Sequence, residues 1–125
     1  MTNLLLVIIG GAIGAGGRYL LSGWLHGQFG SEFPWGTFAV NVIGSLVIDM
    51  ISGLAERGNL SSEASLFLTI GVLGGFTTFS AFSHETLRLL MNGDVGISLL
   101  NVFGQITASI AAVYLGFAFI RLLVS

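Results

Sequence analysis

Nine residues in the third apolar segment combine the groups that can bind an ion inside a membrane. The run Gly74-Gly75-Phe76-Thr77-Thr78-Phe79-Ser80-Ala81-Phe82 joins two glycines, three hydroxyls and three phenylalanines. Unpaired backbone groups are costly in hydrocarbon, so a helix break at that depth persists only where protein or a water-filled cavity surrounds it. Broken helices at mid-membrane usually mark an ion or solute site. This run is therefore the first candidate for function.

The run offers ligands for ions of either sign. Carbonyl oxygens freed by an unwound helix, here those of residues 74–78, can coordinate a hard monovalent cation such as Na⁺. An aromatic ring has a positive edge, and Phe79 and Phe82, three residues apart, lie on nearly the same helical face. Ring edges and hydroxyls together can replace part of the hydration shell of a small anion. The alternative is that each ring serves only in ordinary packing.

The composition indicates an integral membrane protein that is not an enzyme. Of 125 residues, 54% are hydrophobic and 8% are charged, against about a quarter charged in soluble domains. The basic residues are four arginines without any lysine, so we expect no basic patch for nucleic acid. The absence of cysteine excludes disulfides and thiolate chemistry. No catalytic triad, carboxylate pair, phosphate-binding loop or metal-ligand cluster emerges, so we predict no enzymatic activity.

Four apolar stretches are long enough to cross a bilayer, for which about 20 residues are needed. We predict an all-α membrane protein with a single transmembrane domain over residues 1–125. The predicted spans cover about residues 4–25, 34–55, 64–90 and 96–123. The third span is predicted to break at mid-membrane, over residues 74–80. The N-terminus lacks the basic region of a cleavable signal, so we expect it to belong to the mature protein.

The arginines do not orient the chain in the membrane. Arg57 and Arg121 fall on the side of the termini, whereas Arg18 and Arg88 lie nearer the opposite side, and orientation by positive charge needs an excess on one side. A chain without bias can insert both ways and pair as an antiparallel homodimer, although four arginines are also few for measuring a bias. Four helices leave little room for an internal path, which favours oligomerisation.

Small residues at four-residue spacing predict close packing between helices. Gly10 and Gly14 form such a pair in the first span, and Gly71 and Gly75 form one in the third. Small residues at this spacing let helix backbones approach closely in lipid. The spacing does not indicate whether the partner helix belongs to the same chain or to another copy.

Three polar residues lie inside the first two spans, where a charged group costs about 2.5–3.5 kcal/mol. Arg18 can offer positive potential to an anion in an aqueous vestibule, or it can extend its guanidinium to the membrane interface. Asn41 can donate to a permeating anion or bond a neighbouring helix, which is the commoner role. Asp49 has no role that the sequence explains.

Further polar residues follow the break and share one face of the fourth span. Glu85 can pair with Arg88 or border a polar path. The pair His84-Glu85 does not continue to a second histidine four residues after the first, which excludes the zinc-protease motif. Gln105 and Ser109 are four residues apart, so they share a helical face. That face can serve in packing or can line a pore.

Three motifs in this chain resemble the bacterial fluoride channels of the Fluc (CrcB) family. They are Gly-Gly-Phe-Thr-Thr-Phe-Ser-Ala-Phe at 74–82, Gly-Gly-Arg-Tyr at 16–19, and Gly-Thr-Phe-Ala-Val-Asn-Val-Ile-Gly-Ser at 36–45. The likeness extends over about residues 3–120 in length, four-span layout and motif order. It implies a fluoride-selective channel in the bacterial inner membrane, through which fluoride leaves passively so that the cell is protected from its toxicity.

The resemblance also implies a dual-topology homodimer with two fluoride pores and a buried structural Na⁺. The sodium ligands would be the carbonyl oxygens of Gly74 and Thr77. The residues of the fluoride pore would be Phe79, Phe82, Asn41 and Ser80. The residues of the vestibule and polar path would be Arg18, Glu85, Gln105 and Ser109. The path on the fourth span departs from the family pattern at Val113, which is apolar where the polar stripe would continue.

Two other classes of protein compete with this interpretation. A small multidrug-type antiporter also has four spans and can insert both ways, but it exchanges protons through a carboxylate in the membrane. The first span has no carboxylate, so Asp49 would have to serve alone. A non-transporting assembly subunit, in which the break only docks a partner, is the third possibility.

Overall fold

The computed structural model describes residues 1–124, and all regular secondary structure in that range is helical. The first helix, α1, is Thr2–Phe29, and α2 is Trp35–Glu56. Residues 62–76 form α3, and Ser80–Met91 forms α4. The last helix, α5, is Val95–Val124. Both α3 and α4 derive from the predicted third span, which is divided by a short non-helical segment.

The helix α3 is not a uniform α-helix. It starts with the α-helical turn Ser62–Leu66, continues as a π-helix over Phe67–Leu73 and ends with the turn Gly74–Phe76. In the π-helical part the hydrogen bonds reach one residue further back than in an α-helix, and such stretches are frequent at functional sites. Because the side chains along α3 are predominantly apolar, no pattern in the sequence indicates where the α-helix changes to a π-helix.

Four helical stretches are long and apolar enough to cross a membrane when α3 and α4 are counted together as Ser62–Met91. The prediction of an all-helical protein with four membrane-length helices is therefore confirmed. The helix α1 continues to Phe29, beyond the predicted limit near residue 25. It ends at Gly30, whose φ of 77° lies in the left-handed region where glycine is favoured.

The helices α1 and α3 pack backbone against backbone through their glycines. A Cβ atom added to Gly10 would lie 2.7 Å from the carbonyl oxygen of Phe67, and one added to Gly14 would overlap the carbonyl oxygen of Val72. Gly75 is equally close, at 2.5 Å from the Gly11 carbonyl oxygen. The predicted packing of the two glycine pairs is thus observed within one chain.

The helices α2 and α5 form the second extensive contact of the fold. A Cβ atom at Gly116 would overlap the carbonyl oxygen of Leu46, so this pair also approaches closely. The buried apolar side chains are few and include Val40 on α2 and Ile120 on α5. Many large apolar side chains on all four membrane-length stretches are exposed, as expected where lipid rather than water is the solvent.

Candidate ion-binding site

The helix break is shorter than the sequence predicts. Gly74 and Gly75 remain helical, and only residues 77–79 lie outside α3 and α4. Thr77 adopts an extended conformation, with φ −86° and ψ 160°, and Phe79 already has helical angles. Glycine is a poor helix former, but the packing of Gly75 against Gly11 on α1 holds this part of the backbone in the helix.

Two carbonyl oxygens at the break lose their usual helical donors. The Thr78 N–H, which would reach the Gly74 carbonyl in a continuous helix, donates instead to Asn41 Oδ1 at 2.9 Å. The Ala81 N–H, which would reach the Thr77 carbonyl, donates to Thr78 Oγ1 at 3.2 Å. Because a helix end needs other partners for such groups, these two oxygens are suited to an ion.

Asn41 of α2 clamps the segment from the side. Its amide nitrogen donates to the Thr78 carbonyl at 3.0 Å, while its oxygen accepts from the Thr78 N–H at 2.9 Å. The same nitrogen also donates to Gln105 Oε1 at 2.8 Å. Both N–H groups of the Asn41 amide therefore have acceptors in the protein, and the side chain bonds the backbone of the break on both sides.

A chain of side-chain hydrogen bonds continues from this clamp along α5 and back to α4. Gln105 Nε2 donates to Asn101 Oδ1 at 2.9 Å, and Asn101 Nδ2 donates to Thr86 Oγ1 at 3.0 Å. The Thr86 hydroxyl in turn donates to the Phe82 carbonyl at 2.7 Å. Asn101 and Gln105 are buried, at 0% and 4% exposed. We call the side chains of Asn41, Gln105, Asn101 and Thr86 the amide brace.

A cavity of about 540 Å³ lies beside the break. Its wall includes most of the residues that the sequence singles out for ion binding. They are Gly74, Thr77, Phe79, Phe82, Asn41, Gln105 and Ser109. The ring centroids of Phe79 and Phe82 are 5.5 Å apart, with an interplanar angle of 52°. Phe79 is 77% exposed, so the cavity is open on the side of its ring.

The ends of two helices meet at this cavity. The carboxyl end of α3 carries partial negative charge on its carbonyls, and the amino end of α4 carries partial positive charge on its N–H groups. The break therefore brings oxygen ligands for a cation and donors for an anion within a few residues of each other. Gly44 on α2 leaves the space that the Thr77 methyl group occupies, since a Cβ atom there would overlap it.

The remaining predicted residues lie around this centre at different positions. Arg18 is half-buried and its Nε donates to the Gly75 carbonyl at 3.2 Å, so α1 also reaches the break. Ser80 is exposed at the start of α4, with its Oγ 3.4 Å from Thr78 Oγ1. Neither Arg18 nor Ser80 lines the cavity beside the break.

Glu85 lines a second cavity of about 520 Å³, at the end of the molecule where α1 passes into α2. Its carboxylate accepts from the buried hydroxyl of Thr37 at 2.5 Å. Sequence reasoning missed Thr37, although it lies four residues before Asn41 and thus on the same face of α2. His84 and Arg88 share the wall of this cavity with Glu85.

A metal site made of side chains is not found in residues 1–124, because no group of three His, Cys, Asp or Glu residues is close enough to hold a metal ion. A cation at the break would have to use backbone oxygens. The carbonyls of Gly74 and Thr77 fit that requirement, since their helical donors have turned to Asn41 and Thr78.

The model of the family described as CrcB-like protein, Camphor Resistance (CrcB), matches residues 5–117. The chain belongs to the CrcB family. The predicted resemblance to that family is thereby confirmed. The matched range contains the helix break, the amide brace and all the residues that line the cavity beside the break.

Several relatives in the CrcB family have names that state a function. A protein of Thermus thermophilus is 50% identical over 113 residues, which cover 90% of this chain and 89% of the relative. One from Agrobacterium fabrum is 48% identical over 119 residues, 94% of this chain and 95% of the relative. One from Geobacter sulfurreducens is 46% identical over 117 residues, 93% of this chain and 94% of the relative. Each is named fluoride-specific ion channel FluC, and ion channels are not enzymes.

Proposed function

We propose that this chain is a fluoride-selective channel of the multi-pass membrane type, through which fluoride leaves the cell passively. Hydrogen fluoride enters a cell as a neutral molecule and ionises inside, so the anion is trapped until a channel releases it. Passive release would protect the cell from fluoride toxicity. The names of relatives about half identical over most of the chain support this function.

One structural observation carries the proposal. The segment that interrupts the third span, residues 77–79, lies on the wall of a cavity together with two phenylalanine rings. In a membrane such a break needs protein or water around it, and the cavity provides that surrounding. We propose that the break lies at mid-membrane and that the cavity is part of the ion path.

Fluoride would meet donors and ring edges rather than full positive charges. The edges of Phe79 and Phe82 carry partial positive charge, and Ser80 offers a hydroxyl at the amino end of α4. We also propose that Asn41 acts on the pore, although both its N–H groups have acceptors in this structure. Binding without a lysine or arginine would stay weak enough for release, which conduction requires.

Further polar residues would border the path, some at the second cavity and some beside the break. Glu85 with Thr37 would border it at the second cavity, and Ser109 would line it on α5. Arg18 would supply positive potential in a vestibule, from its position beside Gly75.

A second copy of the chain, inserted in the opposite orientation, would complete the channel. The cavity is open on the side of Phe79, and Gly74 on the same wall is exposed. Carbonyl groups without helical partners would be unfavourable beside a cavity that opens to acyl chains, whereas a facing partner would close it. The even distribution of the four arginines also favours insertion in both orientations.

At the centre of that dimer we propose a structural sodium ion. The carbonyl oxygens of Gly74 and Thr77 would hold it, because neither accepts its usual helical hydrogen bond. When bound, sodium would supply positive charge that stabilises the carboxyl ends of two broken helices. The side chains around the break would hold residues 77–79 in their non-helical conformation and would line the ion path.

The decisive experiment measures fluoride and chloride efflux from proteoliposomes that contain only the purified chain, with protein-free liposomes as the control. We expect rapid fluoride efflux, little chloride efflux, and no dependence on an imposed proton gradient. Proton-driven uptake of a lipophilic cation would instead favour the antiporter. An absence of fluoride efflux from folded, reconstituted protein would contradict the channel and favour an assembly subunit.

A further inference from the structure

The amide brace has only one possible direction of hydrogen bonding, and the backbone of Thr78 determines it. A backbone N–H can only donate and a carbonyl can only accept. Asn41 bonds both groups of Thr78, so its oxygen must face the N–H and its nitrogen must face the carbonyl. The orientation of this amide is therefore fixed by the geometry of the break.

Each later member of the brace is then oriented by the one before it. The second N–H of Asn41 points to Gln105, so the side-chain oxygen of Gln105 must accept this hydrogen bond. That choice leaves the Gln105 nitrogen for the oxygen of Asn101, and the Asn101 nitrogen for the hydroxyl of Thr86. The Thr86 proton reaches the Phe82 carbonyl. The brace thus begins on one side of the break and ends on the helix that follows it.

Gln105 is the central link of this chain, and although it reaches the wall of the cavity beside the break, its polar atoms are bonded within the protein. It is 4% exposed, and its oxygen is already occupied by the Asn41 amide. An oxygen lone pair would repel an anion, whereas it suits the N–H of Asn41. A network whose members are all satisfied makes a buried region rigid, and here the region includes both ends of the break.

We propose that Gln105 is a positioning residue, which fixes the Asn41 amide and thereby holds Thr78 and the two adjoining helices in register, without contacting the permeating ion. This role rests on the proposed channel function for its effect on flux, but the brace itself can be tested without fluoride. It differs from the role of a path-lining residue that the resemblance implies for Gln105.

Hydrogen exchange of the Thr78 amide, measured by NMR on the full-length protein in detergent micelles, tests this role. Gln105→Met removes the acceptor for Asn41 with little change in volume, and we expect Thr78 exchange to accelerate about fivefold, as the loss of one neutral hydrogen bond predicts. The Ser83 amide of α4, which donates to the carbonyl of Phe79, should exchange at its wild-type rate. Gln105→Glu keeps the acceptor oxygen for Asn41 but loses the donor to Asn101, so Thr78 should exchange more slowly in it than in Gln105→Met.

The control variant is Thr107→Val, on the exposed side of the same helix, which should change neither the exchange rate nor fluoride efflux. In proteoliposomes, Gln105→Met should lower fluoride efflux by a similar factor of about five. Lower efflux with unchanged Thr78 exchange would overturn the proposal, since Gln105 would then act on the ion directly.

The role of Gln105 can also be tested if a variant does not fold or if the wild-type protein does not conduct fluoride. If Gln105→Met does not fold, Gln105→Leu replaces it: wild-type Thr78 exchange there overturns the positioning role, and accelerated exchange supports it. If the wild-type protein conducts no fluoride, the channel function is refuted. The exchange rates of the Thr78 amide would still test whether Gln105 positions Asn41.

Discussion

The two sides of the third span are held by different physical means. On the side of α1, α3 packs through glycine backbones, with Gly10, Gly14 and Gly75 so close to carbonyl groups that no side chain fits. On the side of α2 and α5, the break is held by the hydrogen bonds of Asn41 and the amide brace. The packing against α1 depends on the absence of side-chain atoms at the glycines. The contact with α2 and α5 depends on which polar groups donate and which accept hydrogen bonds.

This difference indicates a division of tasks within one helix. Close backbone packing between α1 and α3 positions the helix up to the break and leaves little freedom. Hydrogen bonds are directional, so the polar side can hold an irregular segment whose own backbone bonds are lost. Substitutions on the first side should therefore act on folding, and substitutions on the second side should act on ion conduction.

The largest effect is expected on the glycine side. Gly14→Ala places a Cβ atom against the Val72 carbonyl oxygen, and overpacking of this kind costs about 1–3 kcal/mol. We expect a clear fall in the midpoint of thermal unfolding of the purified protein. Gly16→Ala is the matched control, because a Cβ atom there has no neighbour within 4 Å. Equal stability of the two variants would contradict the difference between the two sides.

On the polar side, Asn41→Asp should impair conduction more than folding. A carboxylate cannot donate to the part-buried Thr78 carbonyl or to Gln105, and each lost hydrogen bond costs about 1 kcal/mol. We expect fluoride efflux from proteoliposomes to fall roughly a hundredfold, since the negative charge also repels the anion. Asn59→Asp, in the exposed loop before α3, provides the same change of charge as a control. Wild-type efflux through the Asn41 variant would show that the residue is not on or near the path.

The phenylalanine pair should show an intermediate effect. Phe79→Ile or Phe82→Ile removes ring edges while leaving an apolar side chain, and ring interactions are worth about 0.5–1.5 kcal/mol. We expect fluoride efflux to slow about tenfold, while size-exclusion chromatography shows an unchanged assembly. Phe103→Ile, on a ring that is 64% exposed on α5, should leave efflux unchanged. Unaltered efflux in both variants would refute the contribution of the ring edges.

The smallest effect on the single chain is expected where the two sides meet. A Cβ atom at Gly74 has only the Thr69 carbonyl oxygen nearby, at 3.8 Å, whereas at Gly75 it would lie 2.5 Å from the Gly11 carbonyl oxygen. Gly74→Val should thus leave helix content unchanged, measured by circular dichroism, but weaken the proposed dimer and the proposed sodium site. Gly75→Ala should lower the unfolding midpoint. A Gly74 variant with wild-type dimer stability would count against a partner and a cation at this position.

Apolar length made the four membrane-length helices predictable, and glycine spacing predicted close helix packing without indicating that α1 and α3 would pair within one chain. The bounds of the break were not predictable, because glycine has low helix propensity, yet Gly74 and Gly75 are both helical, and Gly75 is held there by its close approach to Gly11 on α1. The clamp between Asn41 and Thr78 joins residues 37 positions apart, and no local pattern shows such a contact. The same holds for Arg18 and the Gly75 carbonyl.

The π-helical stretch Phe67–Leu73 influences the angle around the helix axis at which the side chains after it point. The Gly74 N–H reaches back five residues to the Thr69 carbonyl, so this turn holds more residues than an α-helical turn. Each residue of an α-helix advances the direction of the side chains by about 100°. An α-helix of uniform period over the same residues would therefore direct the side chains that follow, Phe79 among them, to a different angle around the helix axis, with no chemical group at the cavity replaced.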